Sequence, residues 1–242
     1  MTEIVVKRDA SEVAREAADL FVSLAKEAAE SRGRFSISLA GGSTPKALYR
    51  LLSGPEFKDQ VDWSKIVFFF GDERNVPPNA EESNFRMAKE SLFEPLRRKD
   101  LNVFRWTTES GEPAEIASQY ESVMVREVGE LPIFDLILLG LGPDAHTASL
   151  FPFSPALQET TRFAVENWVE KFNAFRLTMT LTVFNAARNV VFLVAGDDKK
   201  DALRIVLEGD RDLQAFPAQA VSPKDGRLIW LLDEAAAADL LG

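Results

Sequence analysis

Four short apolar or alternating runs, residues 35–40, 66–70, 134–139 and 189–195, each stop at a glycine, and segments of helical periodicity separate them. Apolar strands that alternate with helices imply a mostly parallel sheet covered on both faces, a Rossmann-like α/β architecture. In open sheets of this kind the ligand lies beyond the carboxyl ends of the strands. The loops Gly41-Gly42-Ser43-Thr44, Gly71-Asp72-Glu73-Arg74, Gly140 to Thr147 and Gly196-Asp197-Asp198-Lys199 should therefore gather at one edge.

The helices between them have readable ends. Val13, Ala17, Leu20, Phe21, Leu24 and Ala28 recur at helical spacing behind Asp9, with Glu12 completing a capping-box pattern and Gly33 placed to stop the helix. Pro45 suits the first turn of a helix through Leu48, Tyr49, Leu51 and Leu52. Further helices are expected from near Ser83 to Leu92, over 112–130, and from the Gly196 loop to Leu207. Shorter strands are expected near 103–106, 163–169, 176–180 and 228–232, the last followed by an alanine-rich helix. No linker, charge block or internal repeat divides the chain, so one α/β domain over 1–242 is expected.

A formal net charge of −10 argues against a nucleic-acid or anionic-membrane surface, and any anionic substrate needs a local cationic site. Without cysteine there can be no disulfide, thiolate metal site or cysteine nucleophile. One histidine with no carboxylates at ligand spacing makes a metal site unexpected, and no cofactor is called for. Charge interrupts the first nine residues and no later run is long enough to span a bilayer, so a cytoplasmic protein is expected. Nothing in the residues fixes the oligomeric state.

That lone histidine, His146, follows the run 134–139 on a glycine-rich loop. Imidazole exchanges protons near neutrality, so His146 is an acid/base candidate, although a single histidine can equally be a solvated loop residue. Gly41-Gly42-Ser43-Thr44 offers backbone N–H groups, hydroxyls and a helix N-terminus to a phosphate or carboxylate, or is a plain tight turn. It lacks the lysine of a Walker A loop. Gly140-Leu141-Gly142-Pro143-Asp144-Ala145 formally matches a dinucleotide fingerprint, but Pro143 removes a donor and Pro152 and Pro155 forbid the sustained helix that must follow. Asp72, Glu73 and Arg74 crowd opposite charges at a strand end, where Arg74 could steady an oxyanion or a bound anion. Arg176 and Lys199 are further cations near strand ends.

Residues 38–45, Gly71-Asp72-Glu73-Arg74 with Ser83-Asn84 and Met87-Ala88, the stretch 139–152, and Trp230-Leu231-Leu232-Asp233 resemble, in order, the glucosamine-6-phosphate isomerase/6-phosphogluconolactonase family. The resemblance implies metal-free hydrolysis of 6-phosphoglucono-1,5-lactone, a small phosphosugar lactone, in the oxidative pentose phosphate pathway. It implies His146 as the catalytic base, Arg74 as an active-site arginine, and Gly42-Ser43-Thr44, Arg176 and Lys199 as holders of the phosphate. Asp72 would orient Arg74 or a sugar hydroxyl. Ala145 replaces a glycine usual in the family, which would cost ~1 kcal/mol if that position needs φ > 0. Asn173-Ala174-Phe175 replace prolines common before the Arg176 strand. Glucosamine-6-phosphate deaminase and a non-catalytic phosphosugar-binding protein are the alternatives; the deaminase carries an acidic residue after its histidine where this chain reads Thr147-Ala148-Ser149.

Overall fold

Asp9 adopts extended backbone, and its carboxylate accepts from the N–H groups of Ser11 and Glu12 to start α1 (Ala10–Arg32). Gly33, at φ 79°, closes it in the left-handed conformation that suits glycine. The capping box is displaced by one residue, because Glu12 accepts from Arg8 N–H at 3.2 Å. Val13, Ala17, Phe21, Leu24 and Ala28 form the buried stripe, against the next helix and the sheet.

The computed structural model describes residues 2–240. Its strands are β1 (Thr2–Lys7), β2 (Phe35–Leu39), β3 (Ile66–Phe70), β4 (Asp72–Arg74), β5 (Asn102–Val103), β6 (Leu136–Leu139), β7 (Ala164–Val169), β8 (Ala174–Met179), β9 (Asn189–Val194) and β10 (Arg227–Asp233). After α1 come α2 (Ser43–Leu52), α3 (Asn84–Ala88), α4 (Glu94–Leu96), α5 (Pro113–Val128), α6 (Leu181–Phe184) and α7 (Lys200–Glu208). Seven strands pair in parallel in the order β1-β10-β9-β6-β2-β3-β5, and helices flank them, a Rossmann-like α/β sheet. The chain builds outward from β2 to β3 and β5, then crosses back to lay β6 on the other side of β2. The crevice between the ends of β2 and β6 is the topological switch point.

Two buried phenols pin the strand ends at that crevice. The Tyr49 hydroxyl, from α2, donates to Ala40 O at 2.8 Å and accepts from Ala40 N at 2.9 Å. The Tyr120 hydroxyl, from α5, accepts from Phe70 N at 2.8 Å and donates to Phe70 O at 3.1 Å, and its ring stacks on Trp106 at 3.8 Å. These are the chain's 2 tyrosines, and burial pushes both hydroxyl pKa values up.

The structure departs from the sequence expectation at four places. β1 was not foreseen; it is an edge strand whose side chains are half exposed, with charges interleaved. Asp72, Glu73 and Arg74, expected as a loop, form β4 and pair with β8 in a second sheet of order β4-β8-β7. Residues 84–96 stay helical through a π turn, Lys89–Phe93, placed between α3 and α4. The expected alanine-rich C-terminal helix is instead a run of turns over 234–239, in which the Asp233 carboxylate accepts from the N–H groups of Ala236 and Gly196.

Candidate active site

A cavity of about 290 Å³ opens at the switch point, lined by Gly41, Gly42, Asp72, Arg74, Gly142, His146 and Lys199 among others. All four glycine loops named from the sequence thus contribute to it. A larger apolar groove of about 820 Å³ runs beside β1 and β10 and holds none of these residues.

Two glycines are there because neighbouring groups come close. A Cβ on Gly142 would lie 2.0 Å from His146 Nδ1, and one on Gly41 would lie 2.1 Å from Asn84 Oδ1. The fingerprint-like loop leads into no helix and runs through turns to the short 3-10 turn Pro155–Gln158. Its shape depends on Ala145, which sits at φ 60°, buried, with its N–H donating to Gly142 O and its carbonyl accepting from Ala218 N. The family's glycine position is therefore a left-handed one here, occupied by alanine.

His146 Nδ1 makes a short contact with Asp144 Oδ1, and Asp144 Oδ2 makes another with Lys171 Nζ. Burial opposes ionisation of Asp144, but the hydrogen bonds from His146 and Lys171 outweigh it and hold its pKa below the ordinary carboxylate range. An ionised Asp144 can only accept, so Nδ1 carries a proton, and in the neutral ring the lone pair is then on Nε2. No hydrogen bond from Nε2 to another described residue is present. The ring stacks on Phe151, centroids 4.2 Å apart.

Asp72 is buried, and its oxygens are occupied by Ser149 Oγ at 2.7 Å and Asn84 Nδ2 at 3.1 Å. No hydrogen bond joins it to Arg74 among the described residues; Arg74 Nη1 instead donates to the Glu82 carbonyl. Glu73, 3% exposed, accepts from the N–H groups of Arg74, Asn84 and Phe85 and from Ser83 Oγ, so a side chain from β4 caps α3. Burial raises the Glu73 pKa, in spite of those hydrogen bonds.

Of the expected phosphate holders, Gly42 and Lys199 line the cavity, and Lys199 Nζ also pairs with Asp198 at 2.8 Å. Ser43 and Thr44 open α2 directly behind Gly42 without lining the cavity. Arg176 lies on β8 opposite Arg74, its guanidinium 4.9 Å from the Phe172 ring. Burial, and after it the Arg74 charge, pushes the Arg176 pKa down. Asp144, Asn84, Ser149 and Lys171 received no role from the sequence. Only Asp144 left a signal, an acid two residues before the sole histidine.

An oriented imidazole with a free nitrogen, beside two cations and a helix N-terminus, can move a proton while an anionic substrate is held. No three His, Cys, Asp or Glu side chains converge as metal ligands among the described residues.

The family described as glucosamine-6-phosphate isomerases/6-phosphogluconolactonase matches residues 8–230. A 6-phosphogluconolactonase from Synechocystis is 41% identical over 218 residues, 88% of each chain, and one from Nostoc is 39% identical over 226 residues, 92% of this chain and 91% of that one. Among solved structures, 6-phosphogluconolactonase from Trypanosoma brucei superposes with a TM-score of 0.86 at 29% identity, covering 100% of this chain and 99% of that one.

Proposed function

The chain belongs to the glucosamine-6-phosphate isomerase/6-phosphogluconolactonase family, and from that membership we infer that it hydrolyses 6-phospho-D-glucono-1,5-lactone to 6-phosphogluconate in the pentose phosphate pathway. The observation that carries the chemistry is His146, with Nδ1 tied to Asp144 and Nε2 unbonded in a cavity that Arg74 and Lys199 also line.

In this reading His146 Nε2 takes a proton from water as the oxygen attacks the lactone carbonyl carbon. The carbonyl electrons move onto oxygen, where Arg74 steadies the negative charge. When the tetrahedral intermediate collapses, the bond to the ring oxygen breaks, and the proton held on Nε2 passes to that oxygen. The product carboxylic acid then ionises. Lys199, Arg176 and the helix start at Gly42-Ser43-Thr44 hold the phosphate, so a net acidic protein captures a dianion through local charge. Asp72, held by Ser149 and Asn84, is a fixed acceptor for a sugar hydroxyl and not the partner of Arg74.

The loop after His146 favours hydrolysis over deamination. Thr147, Ala148 and Ser149 follow the histidine with no acidic side chain among them; Thr147 Oγ1 donates to Gly140 O at 2.9 Å and Ser149 is committed to Asp72. The test is a pH-stat or NMR assay with freshly generated lactone, set beside glucosamine 6-phosphate. Lactone opening above the background rate with no ammonia released is the expected result; ammonia release at a comparable rate would overturn it.

A further inference from the structure

Lys171 lies in the 3-10 turn Glu170–Phe172, which joins β7 to β8 and closes on Asn173 in the left-handed conformation at φ 46°. Its Nζ touches the outer oxygen of Asp144 and stands 4.8 Å from the Phe151 ring centroid and 4.9 Å from that of Phe172. Phe151 is also the ring on which His146 stacks. One ammonium is thus joined to the base twice, by charge through Asp144 and by packing through Phe151.

A carboxylate alone beside an imidazole favours the protonated ring, which is useless as a base. A cation on the far side of that carboxylate opposes this effect. It also occupies the second oxygen, so Asp144 cannot turn away from Nδ1. Around the imidazole stand Asp144 on its own loop, Lys171 from the β7–β8 turn, Asp72 and Arg74 on β4 and Lys199 ahead of α7, and Arg176 on β8 lies opposite Arg74 without lining the cavity. Lys171 is the only one of these cations bonded to Asp144.

We propose that Lys171 is a positioning residue for the hydrolysis: it holds the outer oxygen of Asp144, so that the inner oxygen fixes His146 Nδ1–H and the ring stays an uncharged base. This rests on the lactonase reading, but the arrangement can be read without any substrate. His146 is the chain's only histidine, so imidazole NMR signals report on it without ambiguity. Lys171→Met keeps an apolar stem on the two phenylalanines and removes the charge; Lys171→Arg restores the charge. Lys171→Met should move the imidazole titration midpoint, and with it the acidic limb of kcat/KM, up by about one pH unit. It should lower kcat at neutral pH by about three- to tenfold with KM within about twofold, and Lys171→Arg should recover most of the loss. An unmoved midpoint would overturn the proposal, as would a rise in KM at constant kcat, which would make Lys171 a substrate contact. A moved midpoint in a protein that does not open the lactone would refute the lactonase reading and leave the Lys171–Asp144–His146 coupling intact.

Discussion

Arg74 and Arg176 stand directly opposite each other on antiparallel β4 and β8, and neither guanidinium is hydrogen-bonded to a carboxylate side chain among the described residues. Directly opposed like charges cost a sheet up to about 1 kcal/mol. An anion bound between the two strands and the cavity would convert that repulsion into attraction. With the proposed phosphate role of Arg176, stability without ligand and affinity for a phosphate would be set against each other at this pair.

Arg176→Ala should relieve the repulsion, leaving the free protein as stable as wild type or stabler by up to about 1 kcal/mol in thermal melts. It should weaken 6-phosphogluconate binding by roughly 1–3 kcal/mol, so the rise in Tm that the product gives wild type shrinks. Arg74→Ala should act mainly on kcat. If Arg176→Ala melts lower and binds product as wild type does, Arg176 is a structural residue.

His146→Gln should lower kcat by about 10²–10⁴-fold, the usual contribution of a positioned base, with product binding retained. Lactones open in water unaided, so the comparison needs the background rate subtracted. A corrected kcat within about threefold of wild type would move the role of base to another group, Asp72 first.

Asp144 has its pKa lowered in the folded protein, so its contribution to stability is complete above the unfolded carboxylate value near pH 4 and is lost as pH falls through the folded value. Asp144→Asn lacks this titration. Wild type should therefore lose stability more steeply than Asp144→Asn below about pH 4, in urea midpoints measured from pH 5 to pH 2. The other carboxylates with lowered values, Asp9, Glu56, Asp62, Glu90, Asp100, Glu109 and Glu159, are common to both proteins and cancel in the difference. Parallel curves would show that the Asp144 contacts do not form in solution.

The strands that line the crevice were legible because both faces of each are covered. β2, β3, β6 and β9 are buried at every position, so they read as apolar or small-residue runs that end at glycine. β1 and β4 were not, for opposite reasons. β1 has an open edge and keeps charged residues, while β4 is three polar residues whose burial depends on partners far along the chain, Thr178, Leu177 and Arg176. At the site, His146, Arg74 and the glycine turn announce themselves by residue type and by their place after strands. Asp144 could be read from its distance to His146. Lys171, Ser149 and Asn84 act through contacts that form only when distant segments close on one another: Lys171 meets Asp144 across 27 residues, and Ser149 and Asn84 meet Asp72 across 77 and 12. No local pattern encodes those.

Gly142 offers the sharpest separation of alignment from chemistry, because it touches the base without being one. Its φ lies outside the left-handed region, so alanine is tolerated by the backbone itself. What forbids a side chain is the ring: an added Cβ would lie 2.0 Å from His146 Nδ1 and 2.1 Å from Cε1. The imidazole must then swing off Asp144, and catalysis that depends on its aim should fall by about 10²-fold or more, toward the loss in His146→Gln. The proposed phosphate holders, on β8 and at the starts of α2 and α7, are untouched, so 6-phosphogluconate should still raise the Tm of Gly142→Ala nearly as much as that of wild type. In imidazole NMR spectra the Nδ1 proton should lose the downfield position of a carboxylate-bonded proton. If Gly142→Ala retains wild-type kcat, the ring has room to move without leaving its working position, and the tie to Asp144 does not govern the rate.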